Sequence, residues 1–337
     1  MTVRLRLAFP LLLVMMLSPA VWASGQRHKI PSPEIWLQRM NAALRDRNYT
    51  GTFVYIHGDH LETMQVAHRA DAQGGIERLV SLTGPPREVI RDHKSVQCVM
   101  PDSRMVLVER RYAAAHFPAA LPSSVPAARL SAYYDFKDLG EDRIAGYQSK
   151  IIGVLPHDGY RYGYRLWLDV HTGMLLRSDL LDSHGHTVER VMFTSLQYPR
   201  NIPGAELKAT EIRPGFIWNI QGDSERLSAA EERVHWQASH LPPGFVLSLK
   251  DVQRVAGIPQ PVRHLVYSDG LASVSVFAEA NAPGRNALIG PSQMGAVNAF
   301  GRQVADHHLT VVGEVPAATV ELIAESMRLV PQPATGH

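Results

Sequence analysis

Between residues 50 and 110 apolar and polar positions alternate with a period of two. The alternating runs are short: 50–57, 61–68, 76–82, 87–91, 96–100 and 105–110. Gly58-Asp59, Gly74-Gly75, Gly84-Pro85-Pro86 and Pro101-Asp102 fall between them. Successive side chains on a strand point to opposite faces, so each run predicts a strand with one buried face, and the short gaps predict an antiparallel meander. A second set follows at 148–155, 161–170, 174–182 and 188–198, with Asp158-Gly159, His171-Thr172-Gly173 and His184-Gly185 at its turns. A sheet of this many strands must curl to bury one face, and either full closure or a half-barrel with a helix in its mouth would do so.

The period is helical in two places. Ser32-Pro33 reads as a cap followed by proline in the first turn, and Trp36, Met40, Ala43 and Leu44 then recur on one face, predicting a helix over 33–47 that lays its apolar stripe on the sheet. Near the end, Pro316 opens a stretch in which Val320, Ile323, Ala324 and Met327 share a face. Before it, runs at 245–250, 263–268, 272–279, 296–304 and 309–312 predict a second, smaller sheet. Residues 199–232 hold prolines, glycines and a polar run and read as a linker. The predicted organisation is a first domain over 24–198, a linker over 199–232, a small α+β domain over 233–330 and a frayed tail over 331–337. Residues 112–129, rich in Ala and Pro without a clean period, read equally as a binding loop or as a disordered insertion.

The remaining apolar run settles the compartment. Arg4 and Arg6 precede an apolar stretch over 7–17, and Val21-Trp22-Ala23 is a small-x-small cleavage site, so residues 1–23 predict a secretory signal peptide cut near Ala23. The stretch is shorter than the roughly 20 residues a membrane helix needs. The expected product is a soluble exported chain. The 34 basic and 32 acidic residues nearly balance, which argues against nucleic acid as a partner. Cys98 is the only cysteine and cannot form an internal disulfide; with Val96 and Met100 on one face, it is expected to be a buried thiol.

Catalytic signatures are absent: the chain has no G-x-S-x-G, H-E-x-x-H, P-loop, G-x-G-x-x-G or C-x-x-C. His57 with His60, His184 with His186, and His307-His308 invite a metal reading, but adjacent strand histidines face opposite ways and zinc needs three or four converging ligands. Solvated turn histidines are the preferred reading, with no metal and no cofactor expected. Asp179 and Asp182 could be imagined as paired catalytic carboxylates, but their separation decides that mechanism and surface carboxylates are commoner. The expectation is a binding protein, not an enzyme.

Several strings point further. They are Gly84-Pro85-Pro86-Arg87-Glu88-Val89, Leu130-Ser131-Ala132-Tyr133-Tyr134-Asp135-Phe136, Asp158-Gly159-Tyr160-Arg161-Tyr162 and Trp167-Leu168-Asp169. Leu241-Pro242-Pro243-Gly244-Phe245, Tyr267-Ser268-Asp269-Gly270-Leu271 and Thr310-Val311-Val312-Gly313-Glu314-Val315-Pro316 follow. In this order and spacing the chain, from Trp36 to Met327, resembles the RseB/MucB family of periplasmic negative regulators of the sigma-E envelope-stress response. The resemblance implies an α+β, mostly antiparallel fold: a half-open β-barrel similar to LolA and LolB with covering helices, then a small C-terminal α+β domain. It implies a partner, the periplasmic segment of a single-span anti-sigma factor, which is shielded from proteolysis until a lipid-type or lipopolysaccharide-type amphiphile releases it.

A half-open barrel offers an apolar concave face, and an acyl chain there gains about 0.8 kcal/mol per buried methylene. Phe53 and Tyr55 share a face of one strand and Met64 and Val66 a face of the next, which makes these four the lipid-groove candidates, with ordinary core packing as the competing reading. Asp269-Gly270 reads as a hairpin turn, and Tyr267 beside it is a candidate partner contact, since aromatics are enriched at interfaces. A lipid or lipoprotein carrier is the alternative function, a cell-envelope hydrolase a weaker one, and a homodimer is left open.

Overall fold

The computed structural model describes residues 31–110, 127–210, 212–220, 234–253, 260–281 and 287–331. The signal peptide, nearly all of the 112–129 segment and the tail beyond Pro331 lie outside these residues. Ser32–His337 forms one compact unit.

The chain opens with α1 (Pro33–Asp46), which buries Trp36, Leu37, Met40, Ala43 and Leu44. Ser32 occupies the cap position, but its side chain makes no capping bond; its carbonyl accepts the Trp36 N–H at 3.2 Å. A run of strands follows: β1 (Tyr49–His57), β2 (His60–Arg69), β3 (Ile76–Ser81), β4 (Glu88–Arg91), β5 (Ser95–Met100) and β6 (Met105–Arg110). After the single turn α2 (Ala127–Leu130) come β7 (Tyr134–Ile144), β8 (Tyr147–Pro156), β9 (Gly163–Asp169), β10 (Leu175–Leu181) and β11 (Thr187–Gln197). With β12 (Ile217–Ile220) these form one sheet in the order β12-β6-β5-β4-β3-β2-β1-β11-β10-β9-β8-β7. Strands β12 and β7 are its two edges, so the sheet curls without closing. Its core gathers Phe53, Met64, Val66, Leu79, Leu166, Leu168, Leu175 and Phe193 beneath the apolar face of α1.

The smaller sheet runs β14-β15-β16-β19-β18-β17, from β14 (Val246–Gln253), β15 (Val262–Ser268), β16 (Ser273–Ala280), β17 (Gly290–Met294), β18 (Val297–Val304) and β19 (His307–Gly313). Helix α3 (Ala317–Ser326) buries Val320, Ile323 and Ala324 against Leu265, Val274, Val276, Leu309 and Val311. A two-stranded ribbon pairs β13 (Val234–Ala238) with β20 (Met327–Pro331). Met327, expected on the helix face, follows the helix as its cap and starts β20.

The alternating runs became strands at nearly the expected places, with five additions: β7, β12, β13, β17 and β20. Edge strand β7 carries mostly exposed polar residues and so has no apolar period to read. Strand β12 lies inside the segment read as a linker and pairs with β6 in parallel. Strands β17 and β20 are short ones beside the last sheet and helix. Cys98 corrects the expectation of burial: Val99 and Val106 take the covered side of β5 and β6, leaving the thiol half-exposed on the other face.

Candidate functional site

The concave face of the larger sheet carries the first set of candidates. Phe53 is wholly buried and meets Phe193 edge-on at 5.8 Å between ring centroids. Met64, opposite Phe53 on β2, and Val66 are buried in the same core under α1. Tyr55, two residues along β1, is half-buried at the margin of that core. The four candidates therefore belong to the same apolar core as Trp36, Met40 and Leu44 of α1. The helix is fastened by Arg39, whose guanidinium donates to the carbonyls of Val170 (3.0 Å) and His171 (3.2 Å) and lies over the Trp36 ring.

At Tyr55 this core reaches the smaller sheet. The tyrosine is hydrogen-bonded to Glu189 of β11; burial first, then that carboxylate, raises its pKa. Glu189 Oε1 also accepts the Ala296 N–H of the β17–β18 turn at 2.7 Å. Glu314, just after β19, stands within electrostatic reach of Glu189; the residue is exposed to solvent, yet crowding by the surrounding protein and then Glu189 push its carboxyl up to about 7. The folded chain therefore favours the neutral form of Glu314 relative to its ordinary 4.5. Below about pH 4.5 both states are protonated and this group costs nothing. The cost grows as pH rises and is complete above about 7. Because the side chain reaches solvent, we expect only about 1 kcal/mol from it. Glu314→Gln should match the parent in acid and exceed it by that amount at about pH 8, as read from urea midpoints. Equal midpoints at both pH values would refute this.

Four of the strings singled out in the sequence, 130–136, 158–162, 241–245 and 267–271, meet along the same seam. Arg161 is wholly buried, and its Nε donates to Asp269 Oδ2 at 2.5 Å. Its two other nitrogens bond the Asp158 carboxylate and the Pro243 carbonyl. The guanidinium lies 4.9 Å from the Tyr133 ring centroid and 5.1 Å from that of Phe245. Tyr134 donates to the same Asp269 oxygen at 2.9 Å. Asp269 Oδ1 accepts the N–H groups of Leu271 and Ala272, and Gly270 takes φ 103°, so the expected turn forms while the carboxylate also serves the seam. Gly244, with φ 82°, lets the Pro242–Phe245 turn sit on Tyr133; a Cβ there would come within 2.4 Å of that ring. Asn298 Nδ2 donates to the Tyr162 hydroxyl (3.1 Å) and Thr319 Oγ1 to the Tyr160 carbonyl (2.7 Å).

Other expectations are corrected here. Tyr267 is buried: its hydroxyl accepts the Ala238 N–H at 3.3 Å and faces Met327 sulfur at 3.8 Å, so it packs the second core and offers no surface to a partner. Asp179 is gripped by Arg177 (2.8 and 2.6 Å) and Arg190 (2.7 and 2.8 Å). Burial alone would raise its pKa, but the two guanidiniums outweigh it and hold the carboxyl below the ordinary range, which suits a structural anion better than a proton donor. His307 and His308 do point apart, to Asp306 and to Glu279 with the Leu288 carbonyl.

Two family models match the chain: the MucB/RseB N-terminal domain over residues 32–211 and the MucB/RseB C-terminal domain over 230–328. The chain belongs to the MucB/RseB family. The sigma factor AlgU regulatory protein MucB of Pseudomonas aeruginosa is 34% identical over 300 residues, 87% of this chain and 90% of the relative. The sigma-E factor regulatory protein RseB of Escherichia coli is 27% identical over 307 residues, 90% and 93% of the two chains. Among solved structures, the complex of Pseudomonas aeruginosa MucA and MucB matches with 32% identity and a TM-score of 0.67, covering 90% of this chain and 99% of that one. A structure of MucB with MucA(peri) matches with 31% identity and a TM-score of 0.65, over 90% and 100%. These relatives of the MucB/RseB family are regulatory proteins by name, and the mostly antiparallel, half-open architecture implied by the resemblance is the one this chain adopts. Among the described residues no helix is long and apolar enough to cross a membrane.

Proposed function

We propose that this protein is a periplasmic regulator that binds the periplasmic segment of a membrane anti-sigma factor, shields it from proteolysis and lets go when a lipid-type amphiphile occupies the concave face beneath α1. The observation that carries partner binding is the match over both sheets to MucB, whose relative of that name was solved together with MucA. The amphiphile is supported by the apolar floor at Phe53, Tyr55, Met64 and Val66 under a single covering helix. In the closed state that floor is packed core, so an acyl chain enters only when α1 gives way. The Arg39 fastening makes that a discrete step.

If lipid and partner prefer different states of α1, their binding is reciprocally coupled, typically by about 1–3 kcal/mol. A purified anti-sigma periplasmic segment, titrated against the processed chain, should bind, and its affinity should fall when a diacyl amphiphile is added below its micelle threshold. A soluble sugar should leave it unchanged. Unaltered affinity at saturating amphiphile would sink the lipid switch and leave partner binding. Failure to bind the segment, with capture of diverse lipoproteins instead, would favour a carrier.

A further inference from the structure

We propose that the turn joining β10 to β11 binds one divalent transition-metal ion through Asp182, His184 and His186. Donor atoms from these three side chains all lie within 4.8 Å of one another, and among the described residues no other group of three histidine, cysteine or acidic side chains converges this way. The two imidazoles lie on the same side of the turn, nearly parallel at 5.9 Å between centroids. Gly185, at φ 82°, provides the left-handed step between them.

Asp182 divides its two oxygens between tasks. Oδ1 accepts the backbone N–H groups of His184 (2.8 Å) and His186 (2.9 Å). Oδ2 faces Nδ1 of His186 at 3.3 Å and of His184 at 3.9 Å. One oxygen thus fixes the carboxylate to the loop while the other stands beside both rings. The loop is closed underneath by Asp182 N–H to the His186 carbonyl (2.9 Å) and Gly185 N–H to the Asp182 carbonyl (3.0 Å).

Metal–ligand bonds of about 2.0–2.2 Å in a tetrahedron put donors about 3.4 Å apart, so the side chains must close by roughly 1 Å. The histidine side chains are 77% and 80% exposed, which leaves them free to rotate inward. Two imidazoles with one carboxylate select zinc, copper(II) or nickel over calcium and magnesium, which want oxygen donors. Three protein ligands leave a position for water, so the site is open.

The test uses the untagged full-length processed protein, stripped with a chelator and titrated with zinc chloride by calorimetry at about pH 7.5. Nickel broadening of histidine NMR signals reports which rings bind. His184→Gln and His186→Gln, both at exposed positions, should unfold at the parent temperature yet bind zinc at least about tenfold more weakly, the lower end of what weakening a metal shell costs. His60→Gln, which removes a histidine whose ring lies tilted 5.1 Å from that of His57, should bind like the parent. One equivalent of zinc, with His184 and His186 broadened, supports the site. No binding at the protein's own concentration, equal binding by both turn variants and the parent, or a loss seen only in His60→Gln would overturn it.

Discussion

Replacing Arg161 by alanine should cost about 3–5 kcal/mol of stability, the usual consequence of removing one partner of a buried ion pair. Both Arg161 and Asp269 have side chains with no exposure to solvent. Asp158, by contrast, is a quarter exposed and can turn to water when the guanidinium is lost. Asp269 cannot. It retains the Tyr134 hydroxyl and two backbone N–H groups, but no cation. The vacated space is lined by Tyr133, Tyr134 and Phe245, whose faces now stack on the guanidinium. Because these groups come from both sheets, the loss falls on the seam. Urea unfolding followed by tryptophan fluorescence should move to lower denaturant, and one transition should separate into two as the cores lose their coupling. Asp269→Ala with Arg161→Ala should be less harmful than the sum of the two single changes, since neither then leaves a buried charge. A midpoint unchanged in Arg161→Ala, or strict additivity, would show that the pair holds nothing together.

The sequence made the strands and the two principal helices legible because their periods are strong: two for β16, where Val274, Val276 and Ala278 face inward, and helical for α1. Where the physics supplies no period, the reading fell short. Strand β7 has Lys137, Asp138, Glu141 and Asp142 in the middle of an exposed edge, so nothing apolar marks it. Strand β12 is four residues long, with Ile217 and Trp218 largely exposed, and only its distant pairing with β6 makes it a strand. The site was legible as strings but not as contacts. Arg161 and Asp269 lie 108 residues apart, and no local rule joins them. Tyr267 looked like a surface ring because it adjoins a turn; its hydroxyl is satisfied inside by Ala238, which the sequence could not place. In the sequence the histidines of the β10–β11 turn read as a pair, and Asp182, two residues before the first of them, reads with Asp179 as a carboxylate. The D-x-H-x-H spacing was there to be read; the direction of Oδ2 was not.

Phe53→Ala tests the floor beneath α1, and here the packing reading and the lipid reading make separable demands. Phe53 has no solvent exposure, shares its core with the apolar face of α1 and meets Phe193 edge-on. Truncating such a ring typically costs about 3–5 kcal/mol, from lost transfer energy and the void left behind. That loss is expected whichever function the floor serves. The void adds the second demand. A cavity lined by Met64, Val66, Leu166 and the helix face is apolar and large enough to hold part of an acyl chain, and a ligand that binds only the folded state stabilises it by RT ln(1 + [L]/Kd). If amphiphiles enter beneath α1, the variant should bind them more tightly than the parent, because the chain no longer has to displace the phenylalanine. Its melting temperature should then rise more on adding a diacyl amphiphile than the parent's does. Leu82→Ala, at an exposed position beyond β3, should behave like the parent in both respects. A stability loss with an amphiphile response identical to the parent's would confine Phe53 to core packing and move the lipid site elsewhere on the sheet. A loss below about 1 kcal/mol would mean that α1 does not press on this floor at all.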